Sequence, residues 1–178
     1  VVFGWKPWNG GTSSHQDLPV RIDALGTLRL SYAMQTRATG KYSLATTLWL
    51  TRTGTVNEQP NPRDISTDLT IWMDGFSFPP FGSQVDRATI DDVEFEIWLA
   101  RDLNAGTADG PRWNYVAYRS THAYPSASLN LHKVLQHAIA HGFVSATDYV
   151  SDVEIGNEIM SGAGETWVKT LALEIERR

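Results

Sequence analysis

The stretch Ser151-Asp152-Val153-Glu154-Ile155-Gly156-Asn157-Glu158-Ile159-Met160-Ser161-Gly162-Ala163-Gly164 alternates at its centre. Val153 and Ile155 point one way; Glu154, Gly156 and Glu158 point the other. That period of two predicts a β-strand with one face on a core and one face open. Two carboxylates share the open face, and the glycine between them removes bulk where another group can approach. Small residues follow at once, so the strand ends at a rim. From these residues alone a solvated strand face is the commoner use. The functional alternative is an acid held on a sheet floor, opposite a second carboxylate from elsewhere in the chain.

The same period recurs outward from this strand. Leu28 to Thr36 places Leu28, Leu30, Tyr32 and Met34 on one face, and Tyr42 to Thr51 is rich in β-branched and aromatic residues. Thr67 to Asp74 sets Asp68, Thr70 and Trp72 against Leu69, Ile71 and Met73. Val93 to Ala100 sets Glu94, Glu96 and Trp98 on one face. Trp113 to Thr121 and Trp167 to Glu176 are further strands, and Leu18 to Ile22 is a short one. Loops are predicted over 9–11, 54–63, 76–83 and 102–111 from their Gly, Pro, Asn and Asp content. A helix is expected from Asn130 to His141, where Leu131, Val134, Leu135, Ala138 and Ile139 form one apolar stripe. Asn130 or Ser128 caps its start and Gly142 ends it. Many short alternating strands and one helix predict an all-β fold, a two-sheet antiparallel sandwich or jelly roll. The helix is expected on its outer, convex side.

Composition removes several function classes. The 178 residues carry a net charge of −5 with signs interspersed, which leaves no nucleic-acid footprint. Cysteine is absent, so there is no disulfide, thiolate metal site or cysteine nucleophile. No apolar run reaches the length of a membrane span. Neither a G-x-S-x-G elbow nor a P-loop or Rossmann glycine pattern occurs. His132, His137 and His141 lie off the helix stripe and read better as a solvated face than as metal ligands. Asp91-Asp92 reads as a hairpin turn rather than a calcium site. No metal and no cofactor are expected. Val1-Val2-Phe3-Gly4-Trp5 is a fold-ready opening with no leader, which implies that an upstream segment was removed.

Seven tryptophans in one chain of this size point to a stacking surface, with core packing as the alternative for each. Trp5-Lys6-Pro7-Trp8 suits a groove wall. For the second carboxylate, Asp68 qualifies, followed on its own face by Thr70 and Trp72; Glu94 and Glu96, beside Trp98, qualify as well. Two carboxylates on a Trp-lined sheet floor are what glycoside hydrolysis needs.

These segments, taken in order, resemble glycoside hydrolase family 12, the small jelly-roll endoglucanases and xyloglucanases. Phe3-Gly4-Trp5-Lys6-Pro7-Trp8 is similar to the family's G-x-K-P-W segment, and Leu18-Pro19-Val20-Arg21 to its P-V-R segment. Leu50-Thr51, Asp68-Leu69-Thr70-Ile71-Trp72, Pro80-Phe81-Gly82-Ser83, Trp113 to Arg119 and Val153 to Glu158 each resemble a family segment in turn. The resemblance implies a retaining endo-β-1,4-glucanase with Glu158 as acid/base and Asp68 as nucleophile. Trp5, Lys6, Trp8, Trp72, Pro80 and Trp113 are then expected to bind substrate. It implies a polysaccharide partner, a secreted protein and a monomer, with no nucleic acid and no membrane. Three departures stand out. The family's nucleophile is Glu, but here Asp68. Its assisting acid falls on Thr47, and its Met on Thr70. The family also has strands ahead of G-x-K-P-W, so residues 1–178 are expected to be one jelly-roll domain lacking its first strands. The alternative function is a carbohydrate-binding protein on the same fold with hydrolysis lost.

Overall fold

The computed structural model describes residues 1–8, 16–55, 61–75, 77–104 and 109–178. The Gly-rich turn predicted over 9–11 lies outside these, as do parts of the loops predicted near 54–63, 76 and 105–108. Period-2 patterning becomes twelve strands among the described residues: β1 Val2–Gly4, β2 Val20–Arg21, β3 Leu25–Ala38, β4 Lys41–Thr51, β5 Ile65–Asp74, β6 Ser83–Ile90, β7 Val93–Asn104, β8 Arg112–Ser120, β9 Ser126–Asn130, β10 Tyr149–Val150, β11 Asp152–Ser161 and β12 Gly164–Arg177. One helix, α1, spans Leu131–Ala140.

The strands form two sheets. The large one runs β1-β11-β4-β5-β8-β7-β6, with β10 and β2 attached beside β4; the small one runs β12-β3-β9. Their facing sides make the core. Leu28, Leu30, Tyr32 and Met34 of β3 meet Leu48, Leu69, Ile71, Val116, Tyr118, Val153 and Ile155 of the large sheet in one buried cluster. These are the inward sides read from the alternation. Each fully buried Leu or Ile contributes about 1.5–3 kcal/mol. The small sheet leaves β12 as an edge. Glu165, Lys169 and Glu174 lie exposed along it, and the ladder shifts register between Val168 and Thr170. Charges and a bulge are both devices that discourage edge-to-edge pairing.

The jelly-roll expectation holds, with one refinement. The β5–β8 pair is parallel, whereas the other pairs are antiparallel. After β5 the chain passes to the far edge at β6 and returns through the β6-β7-β8 meander, so β8 arrives beside β5 in the same direction. Asp91 and Asp92 close the β6–β7 hairpin with φ of 48° and 65°. Positive φ at both central residues is the twist-matched two-residue turn.

Asn130 caps α1, its Oδ1 accepting from the Lys133 N–H at 3.1 Å, while Ser128 pairs with Ser31 Oγ at 2.9 Å. Leu131, Val134, Leu135 and Ala138 are buried in the main core. The Tyr118 hydroxyl on the core side of β8 meets His137 Nδ1 at 2.9 Å. The helix therefore packs beside β3 of the small sheet and reaches the core side of β8 through His137, away from Asp68 and Glu154.

Candidate active site

The outward face of the large sheet is built in cross-strand rows. Trp49 of β4 lies opposite Asp68 of β5, and Asp68 opposite Tyr115 of β8. In the next row Glu154 of β11 faces Thr47, and Thr47 faces Thr70. Gly156 faces Ala45, which faces Trp72. The first two rows floor a cleft of about 400 Å³, which Lys6, Phe81, Asn157 and Glu158 also line. Alternation puts these side chains on one surface because the odd positions of β4 and the even positions of β5 and β11 all point out of the core.

The carboxyls of the cleft differ sharply in setting. Asp68 is half-buried at the floor, and its Oδ1 is shielded from solvent without a hydrogen-bond partner among the described residues. Burial, followed by the charges of Glu158 and Glu154, pushes its carboxyl up to about 7; Lys6 pulls weakly the other way. Glu158 is exposed at the mouth, and partial desolvation raises its carboxyl above the usual range. Glu154 is held by Lys6 Nζ at 2.8 Å. Buried Asp152 accepts the Trp49 N–H at 3.1 Å. Desolvation, and after it the charge of Glu154, drives the Asp152 carboxyl well above its usual range. Lys6 and Glu154 thus form an ion pair beside buried Asp152. Asp68 and Glu158 are left as the two cleft acids with no cation of their own among the described residues.

Asp68 carries a stability consequence. Its folded pKa of about 7 lies above its ordinary value of 3.8, so the folded state favours the neutral form. That preference is fully present below about pH 4 and is lost as pH rises through 7. Some of the residue still meets solvent, which keeps the cost of ionisation below the full difference. Asp68→Asn, which never ionises, is expected to be more stable than the parent by roughly 2–3 kcal/mol at pH 8. The gain should vanish at pH 4. Thermal melts of both proteins at the two pH values check this; an equal difference at both would exclude a buried, reluctant carboxyl.

The predicted site residues divide. Glu158, Asp68 and Lys6 line the cleft. Trp5, Trp8, Trp72, Pro80 and Trp113 do not. Trp72 lies on the predicted face but is covered, its ring 5.0 Å from that of Phe78, and its side chain hydrogen-bonds Tyr115. Trp113 is wedged edge-on between Trp49 and Trp8 at 5.7 Å and 5.4 Å. Trp5 is clamped through its backbone, its N–H donating to Ser151 O at 2.9 Å, and so fixes the segment that carries Lys6. Pro80 is buried, while its neighbour Phe81 lines the cleft edge-on to Tyr115 at 5.5 Å. Sequence reasoning missed Trp49, Tyr115, Phe81 and the Lys6–Glu154–Asp152 group. The signal for Trp49 was present: it is two residues beyond Thr47 on the same strand face.

The sequence profile of glycosyl hydrolase family 12 matches residues 2–176. The chain belongs to this family. Endoglucanase S of Pectobacterium parmentieri is 26% identical over 169 residues, which is 93% of this chain and 60% of that protein. This family 12 chain therefore spans about 60% of the length of that curated relative. Among solved structures, the native family 12 xyloglucanase of Bacillus licheniformis superposes with a TM-score of 0.88 at 24% identity, over 98% of this chain and 73% of that one. An endoglucanase of Rhodothermus marinus gives 0.83 at 25% identity, over 99% and 73%. Among the described residues no helix is long and apolar enough to cross a membrane.

Proposed function

We propose that this family 12 chain hydrolyses internal β-1,4-glucosidic bonds of a β-glucan with retention of anomeric configuration. The observation that carries the reading is the placement of Asp68 and Glu158 on one cleft, while Glu154, its third acid, is paired with Lys6. Glu158 protonates the leaving glycosidic oxygen as Asp68 attacks the anomeric carbon. The glycosyl–enzyme ester then breaks when the Glu158 carboxylate takes a proton from water and that water displaces Asp68. The Trp49 ring offers an apolar face to a sugar. A side chain at Gly156 would meet no protein atom within 4 Å, which leaves that part of the floor open to a glucan. The same reading makes the partner a polysaccharide, the place of action extracellular and the working unit a monomer. Proton NMR of the first products from a soluble β-glucan tests it. Initial β-anomers are expected; initial α-anomers, or no turnover, would overturn it.

The titration of the two acids sets the pH dependence. The nucleophile must be ionised and the acid protonated. Burial holds Asp68 at about 7, so one limb of the kcat/KM profile is expected to bend near pH 7 and the other where Glu158 titrates, because the active form needs Asp68 ionised and Glu158 protonated. A profile of kcat/KM from pH 4 to 9 checks this, and a profile with no bend near pH 7 would contradict it.

A further inference from the structure

On the opposite side of the large sheet a second cluster of titratable groups takes no part in the proposed hydrolysis. We propose that Asp86, His137 and His141 form a binding site for a first-row divalent transition ion, with Zn²⁺ the best fit. His137 and His141 are four residues apart on α1, so they share a face of the helix. Asp86 reaches them from β6. One ligand atom from each lies within 4.8 Å of the other two. Tetrahedral Zn²⁺ takes His N at about 2.0–2.1 Å and carboxylate O at about 2.0–2.2 Å. Closing the cluster around such an ion needs the stacked His137 and His141 rings to turn so that their in-plane lone pairs converge. His141 and Asp86 have room to move, with side chains 41% and 37% exposed.

The hydrogen bonds around the cluster favour a ligating state. His141 Nδ1 lies 2.9 Å from the His137 carbonyl oxygen, which can only accept, so Nδ1 carries the proton. Nε2 then faces Asp86 Oδ2 at 3.4 Å, a gap that a proton on Nε2 or a metal ion can bridge. His137 Nδ1 is engaged by the Tyr118 hydroxyl at 2.9 Å, which leaves its Nε2 for a metal and fixes its ring. The two rings stack with centroids 4.0 Å apart. Asp86 is oriented as well, its Oδ1 accepting the Arg87 N–H at 2.8 Å. His132 stands apart, with Nδ1 on the Gly26 carbonyl at 2.8 Å. Two imidazoles and one carboxylate suit zinc and exclude a magnesium-type site. A fourth position stays open to water. An ion held here ties β6 to α1 and acts on stability, since the cluster lies across the sheet from the cleft.

The test uses untagged protein stripped by chelator and titrated calorimetrically with Zn²⁺ alone. One equivalent is expected to bind, with at least about tenfold weaker binding in His141→Ala and in Asp86→Asn. His122→Ala, which alters an exposed histidine elsewhere, should bind as the parent does. Zn²⁺ at about a hundredfold above its dissociation constant should raise the melting temperature by about 5–10 °C in the parent and not in His141→Ala. Co²⁺ should give the visible absorption of a tetrahedral site. No Zn²⁺ binding, or an unchanged affinity in either variant, overturns the site.

Discussion

Glu158→Gln is expected to lower turnover on an unactivated β-glucan by about 10²–10⁴-fold, the usual worth of a positioned general acid. Its affinity for a gluco-oligosaccharide should stay close to the parent's. The side chain sits at the exposed mouth of the cleft, so an isosteric amide leaves the floor and the core untouched. What the amide cannot do is give a proton to the leaving oxygen. The substitution has a second signature. Glu158 is the leading charge that raises the Asp68 carboxyl after burial itself. Removing it should let Asp68 ionise at lower pH, so the acid limb of the residual activity moves down from about 7. A lost proton donor gives both effects, whereas local unfolding gives neither the retained affinity nor the shifted limb. Initial rates, calorimetric binding and the pH profile of the variant decide it. Turnover at the parent's rate would remove Glu158 from the proposed role.

Strand identity and inward faces were legible because a half-buried strand must alternate. Leu69, Ile71 and Met73 could not share the core with Asp68, Thr70 and Trp72 without breaking the period. The same logic located the acids. Alternation gives the face of a residue, however, and not its depth. Trp72 is on the cleft face and still buried, because Phe78 folds over it from a loop of irregular spacing. Trp113 is likewise on that face but roofed by Trp8. Whether a tryptophan forms a wall or lies behind one depends on long-range packing, which no local period encodes. The parallel β5–β8 pairing was hidden for a related reason. It follows from where the β6–β7 hairpin lands, and that is settled by which edges are left to pair.

Two departures from the family pattern prove to be one local change. Thr47 and Thr70 are cross-strand partners, and Thr47 Oγ1 donates to Thr70 Oγ1 at 3.3 Å. The two hydroxyls satisfy each other beside Asp68 and give its carboxyl nothing. Meanwhile Glu154, opposite Thr47 on its other flank, is engaged by Lys6 and Asp152. Asp68 is left short and desolvated, with one oxygen lacking a partner among the described residues.

Asp68→Glu is therefore expected to raise the rate rather than abolish it, by up to about a hundredfold. The added methylene extends the carboxylate by about 1.5 Å, out of the shielded floor and toward the sugar carbon. Misplacement of about an ångström costs about that factor in an otherwise assembled site. Water at the cleft then reaches the carboxylate, so its pKa should fall and the bend of kcat/KM near pH 7 should move down. Both effects increase the fraction of enzyme with an ionised nucleophile and a protonated Glu158. The gain has a ceiling, because Thr47 donates to Thr70 and supplies no group to orient the longer side chain. Retention should persist, since a carboxylate of longer reach leaves less room for a water between it and the sugar. Initial rates on a soluble β-glucan, with product anomers followed by proton NMR, test both parts. A rate at or below that of the parent would mean that Asp68 is not limited by reach. Inverted products would mean that a water, not this carboxylate, attacks the sugar.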